Sequence, residues 1–250
     1  MNLLVTAGNT QTPIDRVRAI TNIFTGRTGS NIALHALARG HTVTLLTSHP
    51  EVIAGLSHGA SLPADRWTVV SYRTFDDLQQ HLEERMRRGG LDAVIHSAAV
   101  SDYRTSGVYA PATGTRFQAQ DNRWESASPA PPTLVDMNAG KVKSDAPELW
   151  LRLERTPKLI DRFRSDWEFA GVLVKFKLEV GVSEECLLDI AERSRRQSAA
   201  DLIVANTLEG ASTWAFVGPL GGGYQRVSRR ELAERLLEAV ETLGKGRTHG

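Results

Sequence analysis

The residues best suited to chemistry lie in one run, residues 20–32, where a polar turn without acidic side chains leads into an apolar helix. Gly26 and Gly29 stand at the junction between the turn and the helix, and Arg27 lies between them. Glycine lets backbone N–H groups approach a ligand closely, and the N-terminus of a helix favours negative charge. Together with Asn22, this run predicts a site for a phosphate or a carboxylate.

Strand and helix patterns alternate through the first part of the chain. Short apolar runs rich in β-branched residues are separated by segments with helical periodicity. Alternation at this spacing predicts right-handed crossovers and a mainly parallel sheet with helices on both faces, so the predicted fold class is α/β and Rossmann-like. The predicted strands are residues 3–7, 42–47, 67–72 and 93–97, and the predicted helices are residues 31–39 and 74–88.

The alternation stops after the fourth predicted strand. Residues 103–145 are rich in Ala, Pro, Ser, Gly and Thr and show no sustained periodicity. Such a stretch is uncommon inside a compact domain and is either disordered or functional. We interpret it as a mobile flap or dimerisation insertion within a single domain that spans residues 1–250. Beyond it, we predict strands at 149–153, 169–176 and 202–205, helices at 157–164 and 183–197, a hairpin of 213–217 with 224–227, and a last helix that Ser228 and Glu231 cap.

The composition limits the kinds of protein that the chain can be. Of 250 residues, 41% are hydrophobic and 24% are charged, which allows a sizeable core. Lys and Arg number 30 and Asp and Glu number 29, so a net charge of +1 indicates neither nucleic acid nor a membrane as a partner. The single cysteine, Cys186, excludes an intramolecular disulfide, and the scattered histidines predict no structural metal. The first residues lack the pattern of a signal peptide and no apolar run could span a bilayer, so we expect a cytoplasmic location.

Several predicted strands are followed by residues that could bind a ligand. In open parallel sheets, ligands bind in the crevice beyond the carboxyl ends of the strands. Gly8, Asp102, Lys177 and Asn206 each follow or end one of the predicted strands. We therefore expect the loops that carry them to converge on one site.

Each candidate also has a plain structural interpretation. The turn at Gly8 can be only a turn, and the pair Ala98–Ala99 can be only a tightly packed strand end. Asp102 can cap a helix instead of binding a ribose or a metal-bound phosphate. Lys141 and Arg18 can be solvated surface side chains, or they can close over phosphates and hold a carboxylate. The residues alone leave these alternatives open.

One familiar nucleotide-binding motif is missing. A nicotinamide-binding fold would carry G-x-G-x-x-G directly after its first strand and an acidic residue about 20 residues later. Here Gly8 is followed by a long loop without a glycine cluster, and the second predicted strand ends in Thr47 and Ser48. The sequence therefore disfavours hydride transfer.

Four segments in order resemble phosphopantothenate–cysteine ligase, also called phosphopantothenoylcysteine synthetase. The resemblance covers about residues 1–245 and is to the free-standing form, without the flavin-binding decarboxylase domain that many bacteria fuse to it. The segments that carry it are residues 17–29, residues 98–103, residues 141–144, and residues 176–179 with 200–206.

The resemblance implies a two-step ligation of 4'-phosphopantothenate and L-cysteine in coenzyme A biosynthesis. The pantothenate carboxylate attacks the α-phosphate of a nucleoside triphosphate and expels pyrophosphate, and the cysteine amine then attacks the acyl-nucleotide. Bringing two anions together requires cations, N–H donors and Mg²⁺ on the triphosphate. We expect CTP as the nucleotide, with ATP as the alternative, and a homodimer.

The resemblance also implies roles for particular residues. Asn22 and Lys141 are the expected catalytic residues: Asn22 binds the substrate carboxyl and the acyl intermediate, and Lys141 acts in both half-reactions from a mobile loop. Arg18 is expected to contact the phosphate of phosphopantothenate, reaching across the dimer. The substrate-binding set is Arg18, Asn22, Ala98, Ala99 and Asp102. The nucleotide-binding set is Gly8, Gly26, Gly29, Ala98, Asp102, Lys141, Pro157, Lys158, Leu159, Phe176 and Asn206.

The chain departs from the family pattern at several of these segments. Asn9 stands where the family has a second glycine, and Phe24 replaces a serine hydroxyl. Ser144 stands where bacterial members often carry a third loop lysine, and Ser194 and Ser198 stand where many have two lysines that help recognise cytidine nucleotide. A non-catalytic nucleotide-binding regulator on the same fold therefore stays as the alternative function.

Overall fold

The computed structural model describes residues 1–247, which form two compact units. The first unit comprises Met1–Thr10, Ile23–Val100 and the chain from Lys158, and the second comprises Gln11–Asn22 and Ser101–Pro157. The strands are β1 (Asn2–Ala7), β2 (Gln11–Pro13), β3 (Ala19–Thr21), β4 (Thr42–Thr47), β5 (Trp67–Ser71), β6 (Ala93–His96), β7 (Tyr103–Pro111), β8 (Thr115–Gln118), β9 (Arg123–Ser126), β10 (Leu134–Asp136), β11 (Trp150–Arg155), β12 (Val172–Glu179), β13 (Leu202–Thr207), β14 (Trp214–Leu220) and β15 (Gly223–Ser228). The helices are α1 (Arg27–Ala38), α2 (Glu51–Leu56), α3 (Phe75–Arg88), α4 (Leu159–Ser165), α5 (Glu184–Gln197) and α6 (Leu232–Arg247).

The first unit contains one large sheet in the order β15-β14-β13-β12-β6-β1-β4-β5. The strands from β13 to β5 run parallel, whereas β14 and β15 form an antiparallel hairpin at one edge. Numbered along the chain, the parallel strands have the spatial order 3-2-1-4-5-6 of the Rossmann fold. The order reverses between β1 and β6, and folds of this kind bind their ligands at the carboxyl ends of the two strands that flank the reversal.

Two hydrophobic cores cover the two faces of this sheet. Val5 of β1 and Ile95 of β6 pack in one core with apolar side chains of α1 and α6. Leu4 and Val94, the neighbouring positions, pack in the other core with side chains of α3 and α4. Because successive side chains of a strand point to opposite faces, both faces of β1 and β6 are buried. This burial explains the nearly continuous apolar runs in the sequence, and it confirms the predicted α/β class.

Most predicted elements of the first unit are present, but some boundaries were wrong. Helix α1 begins at Arg27, directly after its N-cap Gly26, rather than at residue 31. Its first turn, residues 27–30, has no large apolar side chain, so the apolar periodicity begins only after it. Helix α4 begins at Leu159 rather than at Pro157, and α2 was not predicted. Helix α3 begins as expected, since Thr74 and Asp77 form a capping box.

The second unit is built of short antiparallel strands, of which the sequence predicted only β11, as residues 149–153. A small sheet has the order β10-β7-β11, and β2–β3 and β8–β9 are two-stranded hairpins. Strands β7 to β10 lie within residues 103–145, where no periodicity was found. For two of them the reason is exposure: β10 is exposed at every position and β8 has no buried residue, so no apolar alternation is required. Strand β7 has buried residues only in its second half, among them Val108 and Ala110, which is too short a stretch to show a period. The interpretation of residues 103–145 as a flap or dimerisation insertion within a single domain stays a prediction.

Candidate active site

Three glycines bring the start of α1 against the carboxyl ends of β1 and β6. Gly8 follows β1 with φ 89°. A Cβ on Gly26 would lie 2.1 Å from the backbone nitrogen of Gly8. A Cβ on Gly29 would lie 2.2 Å from Ser97 Oγ and 2.8 Å from the Cβ of Ala7. No side chain fits at positions 26 and 29, so the backbone of the first helical turn reaches the strand ends directly. We call Gly8, Gly26 and Gly29 the glycine cradle.

The glycine cradle reproduces in space what G-x-G-x-x-G provides in sequence. Gly26 and Gly29 keep the G-x-x-G spacing, while residues 9–25 separate them from Gly8. Most of this separating segment, Gln11–Asn22, belongs to the second unit. The sequence therefore shows no contiguous fingerprint, although the loop after the first strand still ends at the N-terminus of a helix. Strand β4 ends at Thr47, where dinucleotide folds place a ribose-binding acid.

The turn after β1 is held by hydrogen bonds within the first unit. The backbone nitrogen of Asn9 donates to Ser48 Oγ at 2.9 Å, and Ser48 Oγ donates to Asn9 Oδ1 at 3.1 Å. Thr10 N donates to the carbonyl oxygen of Ala99 at 3.2 Å, and Ala99 N donates to that of Gly8 at 2.8 Å. Asn9, which replaces a glycine of the family pattern, is thus buried, and its hydrogen bonds to Ser48 attach the turn to the end of β4.

A buried polar cluster fixes the end of β6 beside β1. Thr6 Oγ1 accepts from the backbone nitrogen of Ala98 at 3.1 Å and lies 3.0 Å from His96 Nδ1. Ser97 Oγ donates to the carbonyl oxygen of Thr6 at 2.6 Å. Burial, and secondarily the charge of Lys175, lowers the pKa of His96 to about 4. His96 is therefore neutral at physiological pH, and its role is to pack and hydrogen-bond in the core. The hydrogen bond to Thr6 fixes the backbone of Ala98.

A cavity of about 320 Å³ opens at this end of the sheet in the first unit. It is bounded by the glycine cradle, the end of β6, the end of β12, and the segments after β13 and β15. The predicted site residues that line it are Gly8, Gly26, Gly29, Ala98, Ala99, Phe176 and Asn206. Two predicted nucleotide contacts of the first unit do not line this cavity: Lys158 is the N-cap of α4, and the side chain of Leu159 is buried in the core.

The charged side chains around this cavity are cationic. Its lining contains Arg27, Lys177 and Arg229 and no Asp or Glu. Lys177 pairs with Glu179 at 2.8 Å, whereas Arg229 donates a hydrogen bond to the Thr28 hydroxyl. Sequence reasoning did not single out Arg229, because nothing local distinguishes it from the other arginines near the C-terminal helix. The cavity is suited to an anion at the N-terminus of α1.

The two serines that replace family lysines on α5 contact a lysine from β12. Lys175 Nζ donates to the carbonyl oxygen of Ser194 at 2.9 Å and to Ser198 Oγ at 2.9 Å. Burial lowers the pKa of Lys175, partly offset by the charge of Asp161. The ammonium group of Lys175, which comes from β12, thus lies against Ser194 and Ser198 of α5, the positions where family members often carry lysines.

In the second unit, Arg18 joins the β2–β3 turn to the loop that carries Lys141. Its Nη2 atom lies 2.7 Å from Asp15 Oδ2 and donates to the carbonyl oxygen of Val142 at 2.6 Å. The nitrogen of Val142 donates to Asp15 Oδ2 at 3.0 Å. The hydrogen bond from Arg18, with those from the backbone of Val17 and its neighbours, holds the pKa of Asp15 well below its usual range. Arg18 and the Lys141 loop, predicted separately, are therefore adjacent, while Lys141 itself is exposed.

The remaining predicted residues also belong to the second unit. Asn22 is half-buried, and Asp102 is exposed with its carbonyl oxygen accepting from Thr156 N at 2.9 Å. Pro157 is exposed. Within residues 1–247, no three His, Cys, Asp or Glu side chains group in a way that could hold a metal ion. The described helices include none with the length and apolar character needed to cross a membrane.

A parallel sheet in this order, with a glycine cradle where the order reverses, defines an α/β protein of the Rossmann-like class. The sequence pattern of the DNA/pantothenate metabolism flavoprotein C-terminal domain matches residues 1–113. The coenzyme A biosynthesis bifunctional protein of Thermococcus kodakarensis is 32% identical over 246 residues, which cover 96% of this chain and 51% of that protein. The crystal structure of the DNA/pantothenate metabolism flavoprotein from Streptococcus pneumoniae superposes with a TM-score of 0.74 at 30% identity, covering 97% of this chain and 99% of that one. The chain belongs to the DNA/pantothenate metabolism flavoprotein C-terminal domain family.

A more distant structure shares the fold. A Cab2 mutant in complex with phosphopantothenate-cysteine has a TM-score of 0.70 at 17% identity, covering the whole of this chain and 89% of that one. The chain spans about half the length of the curated relatives it matches, such as the Thermococcus protein, of which it covers 51%.

Proposed function

We propose that this chain is a phosphopantothenate–cysteine ligase. It would join 4'-phosphopantothenate and L-cysteine to 4'-phosphopantothenoylcysteine, by way of an acyl-nucleotide, in coenzyme A biosynthesis. The observation that carries the proposal is the acid-free cavity at the glycine cradle, in a chain of this family. The 32% identity to a coenzyme A biosynthesis protein supports the pathway.

The first half-reaction requires that two anions meet. A carboxylate oxygen of phosphopantothenate forms a bond to the α-phosphorus, and the bond from that phosphorus to the bridging oxygen breaks, leaving its electron pair on pyrophosphate. The backbone of Gly26 and Gly29 and the N-terminus of α1 would hold the phosphates, and Arg27 would offset their charge. Phe176 would pack against the base, and Asn206 would contact the nucleotide.

The second half-reaction uses the residues that the resemblance assigns to the acyl group. Asn22 would bind the carboxyl and the acyl-phosphate oxygen, while Arg18 would contact the substrate phosphate. Lys141 would neutralise charge in both half-reactions. The amine of cysteine attacks the acyl carbon and loses a proton, and the nucleoside monophosphate leaves. The anchoring of the Lys141 loop by Asp15 and Arg18 supports a defined position for this loop.

We further propose Mg²⁺ with CTP, with ATP as the alternative nucleotide. Mg²⁺ keeps several waters and is usually bound through substrate phosphates and one or two carboxylates. The cavity lining has no carboxylate, so the phosphates of the nucleotide and water would supply most of its ligands. The Lys175 cation beside Ser194 and Ser198 supports CTP, because it stands against the helix where family lysines serve cytidine recognition.

The second unit supports the proposal of a homodimer. It exposes large apolar side chains on strands β3, β7, β10 and β11 and in the β2–β3 turn, and large exposed apolar surface is typical of interaction sites. Light scattering of the eluting protein would show twice the mass of one chain, and a monomer at assay concentration would contradict the dimer. The exposed apolar residues are Val17, Ile20, Tyr103, Leu134, Val135 and Leu153.

The experiment that tests the ligase is pyrophosphate release with phosphopantothenate, cysteine and Mg²⁺, in the presence of CTP or ATP. We expect turnover with CTP that the substitution Lys141→Ala lowers by about 100-fold or more. Lys245→Ala on α6 removes the same charge away from the cavity and is the matched control. Absence of turnover with both nucleotides, or full activity of Lys141→Ala, would contradict the proposal.

The alternative is a nucleotide-binding regulator without catalysis. The departures at Phe24, which lines the cavity, and at Ser144 motivate it. Calorimetry that shows CTP binding without any pyrophosphate release would favour this alternative. The same binding series should include NADP. A preference for NADP over CTP and ATP would indicate a nicotinamide enzyme and would contradict both the ligase and the regulator.

A further inference from the structure

Arg229 is a half-buried cation without an acidic partner. It lies between β15 and α6, and its backbone nitrogen donates to the carbonyl oxygen of Thr213 at 2.9 Å. Its guanidinium donates to the hydroxyl of Thr28, in the first turn of α1. Burial lowers the pKa of Arg229, and no carboxylate among residues 1–247 lies within ion-pair distance to offset it. A desolvated charge of this kind is unfavourable until an anion joins it.

Arg229 also borders two cavities. One is the cavity at the glycine cradle, and the other, of about 620 Å³, lies beside it along α1. Arg27 and Thr28 line both as well. The second cavity adds His35 and Arg230, and neither lining contains an Asp or a Glu. The two cavities thus adjoin at the residues they share, and we call them together the cationic region of the first unit.

The size and charge of this region exceed what a single phosphate needs. The N-terminus of α1 accounts for one phosphate at the glycine cradle. The further guanidinium groups of Arg229 and Arg230 line the second cavity together with Arg27. Guanidinium groups bind phosphate oxygens through two parallel hydrogen bonds, so they suit a second and a third phosphate.

We infer that Arg229, with Arg27 and Arg230, forms a subsite for the β- and γ-phosphates of the nucleotide. The inference rests on the proposed function for the identity of the ligand. When the bond between the α-phosphorus and the bridging oxygen breaks, its electron pair stays on pyrophosphate, and the added negative charge falls at these guanidinium groups. Arg229 thereby holds the leaving group as well as the bound triphosphate.

Binding measurements without turnover test the subsite. Calorimetry with Mg²⁺ compares CTP, CMP and inorganic pyrophosphate on the full chain and on Arg229→Gln. We expect CTP and pyrophosphate to bind about 10- to 100-fold more weakly to the variant, because charge-assisted hydrogen bonds are lost. CMP should change less than twofold. Arg235→Gln removes the same charge from the same helix region, where Arg235 pairs with Glu238 at 3.2 Å, and should change none of the three.

The outcomes separate the subsite from a structural role. Equal weakening of CMP and CTP would show that Arg229 shapes the cradle through Thr28 and would overturn the subsite, as would unchanged CTP affinity. If Arg229→Gln does not fold, Arg229→Lys keeps the positive charge and replaces it in the test. Arg230 is exposed, so Arg230→Gln gives a second probe, which should weaken the binding of CTP more than the binding of CMP. A chain that binds pyrophosphate through Arg229 but ligates nothing would refute the ligase and leave the subsite intact.

Discussion

A single methyl group at position 26 tests the glycine cradle. Gly26 has φ 77°, and a Cβ there would lie 2.1 Å from the backbone nitrogen of Gly8 and 2.7 Å from its Cα. Gly40 has φ 90°, but a Cβ there would meet nothing within 4 Å. In both Gly→Ala variants, the left-handed backbone costs about 1–2 kcal/mol. Only Gly26→Ala must also push backbone away from backbone, which costs about 1–3 kcal/mol more. We therefore expect losses of about 2–5 kcal/mol for Gly26→Ala and about 1–2 kcal/mol for Gly40→Ala.

Equilibrium unfolding in urea measures the difference between the two variants, provided both unfold with the slope of the parent protein. CTP binding, measured by calorimetry below the unfolding transition, reports whether the cradle itself has moved. Gly26→Ala should weaken CTP binding, whereas Gly40→Ala should leave it unchanged. Equal destabilisation by the two substitutions would refute the close approach as the cause. A folded Gly26→Ala protein with normal CTP affinity would refute the cradle as the phosphate site.

Three further predictions concern stability and local order. His96 has a pKa near 4 in the folded protein against an ordinary value of 6.5, so only the unfolded chain takes up a proton between these values. The free energy of unfolding therefore decreases as pH falls from 6.5 towards 4, by about 2 kcal/mol at pH 5. In urea unfolding, the His96→Gln variant should not show this decrease. Asp15→Ala removes the acceptor that holds Val142, so amide exchange at Val142 should speed up at neutral pH, and unchanged exchange would contradict the anchoring of the Lys141 loop. Thr74→Ala deletes one half of a capping box and should lower the free energy of unfolding by about 1 kcal/mol, while Thr74→Ser should restore most of it.

The sheet of the first unit could be predicted because its central strands are buried at nearly every position. β1 and β4 are covered on both faces, so their sequences are short apolar runs, and α3 has one buried face with Leu78 and Leu82 four residues apart. The capping box at Thr74 is also a local signal. Each of these features depends on residues within one turn or one strand. Local patterns of this kind were sufficient for the fold class.

The site could be predicted only in part, because its geometry depends on contacts between distant residues. Gly8 and Gly26 touch across a separating segment that hides the glycine fingerprint, and Thr28 meets Arg229 across 201 positions of the chain. No periodicity or motif connects such pairs. Most strands of the second unit, although not β11, were missed for a different reason, since exposed strands such as β10 have no apolar face to reveal them.

The connectivity of the two units links the glycine cradle to the residues proposed for the acyl group along one chain. Residues 11–22 follow β1 and residues 101–157 follow β6, the two strands that flank the reversal of strand order. Loops at these two positions are where Rossmann-like folds keep their ligand-binding residues. Loop-closure entropy rises slowly with length, so long segments can be inserted there while Gly26 and Gly29 preserve the packing of α1. The second unit is therefore inserted at these two loop positions, and it carries Arg18, Asn22 and Lys141, the residues proposed to handle the acyl group.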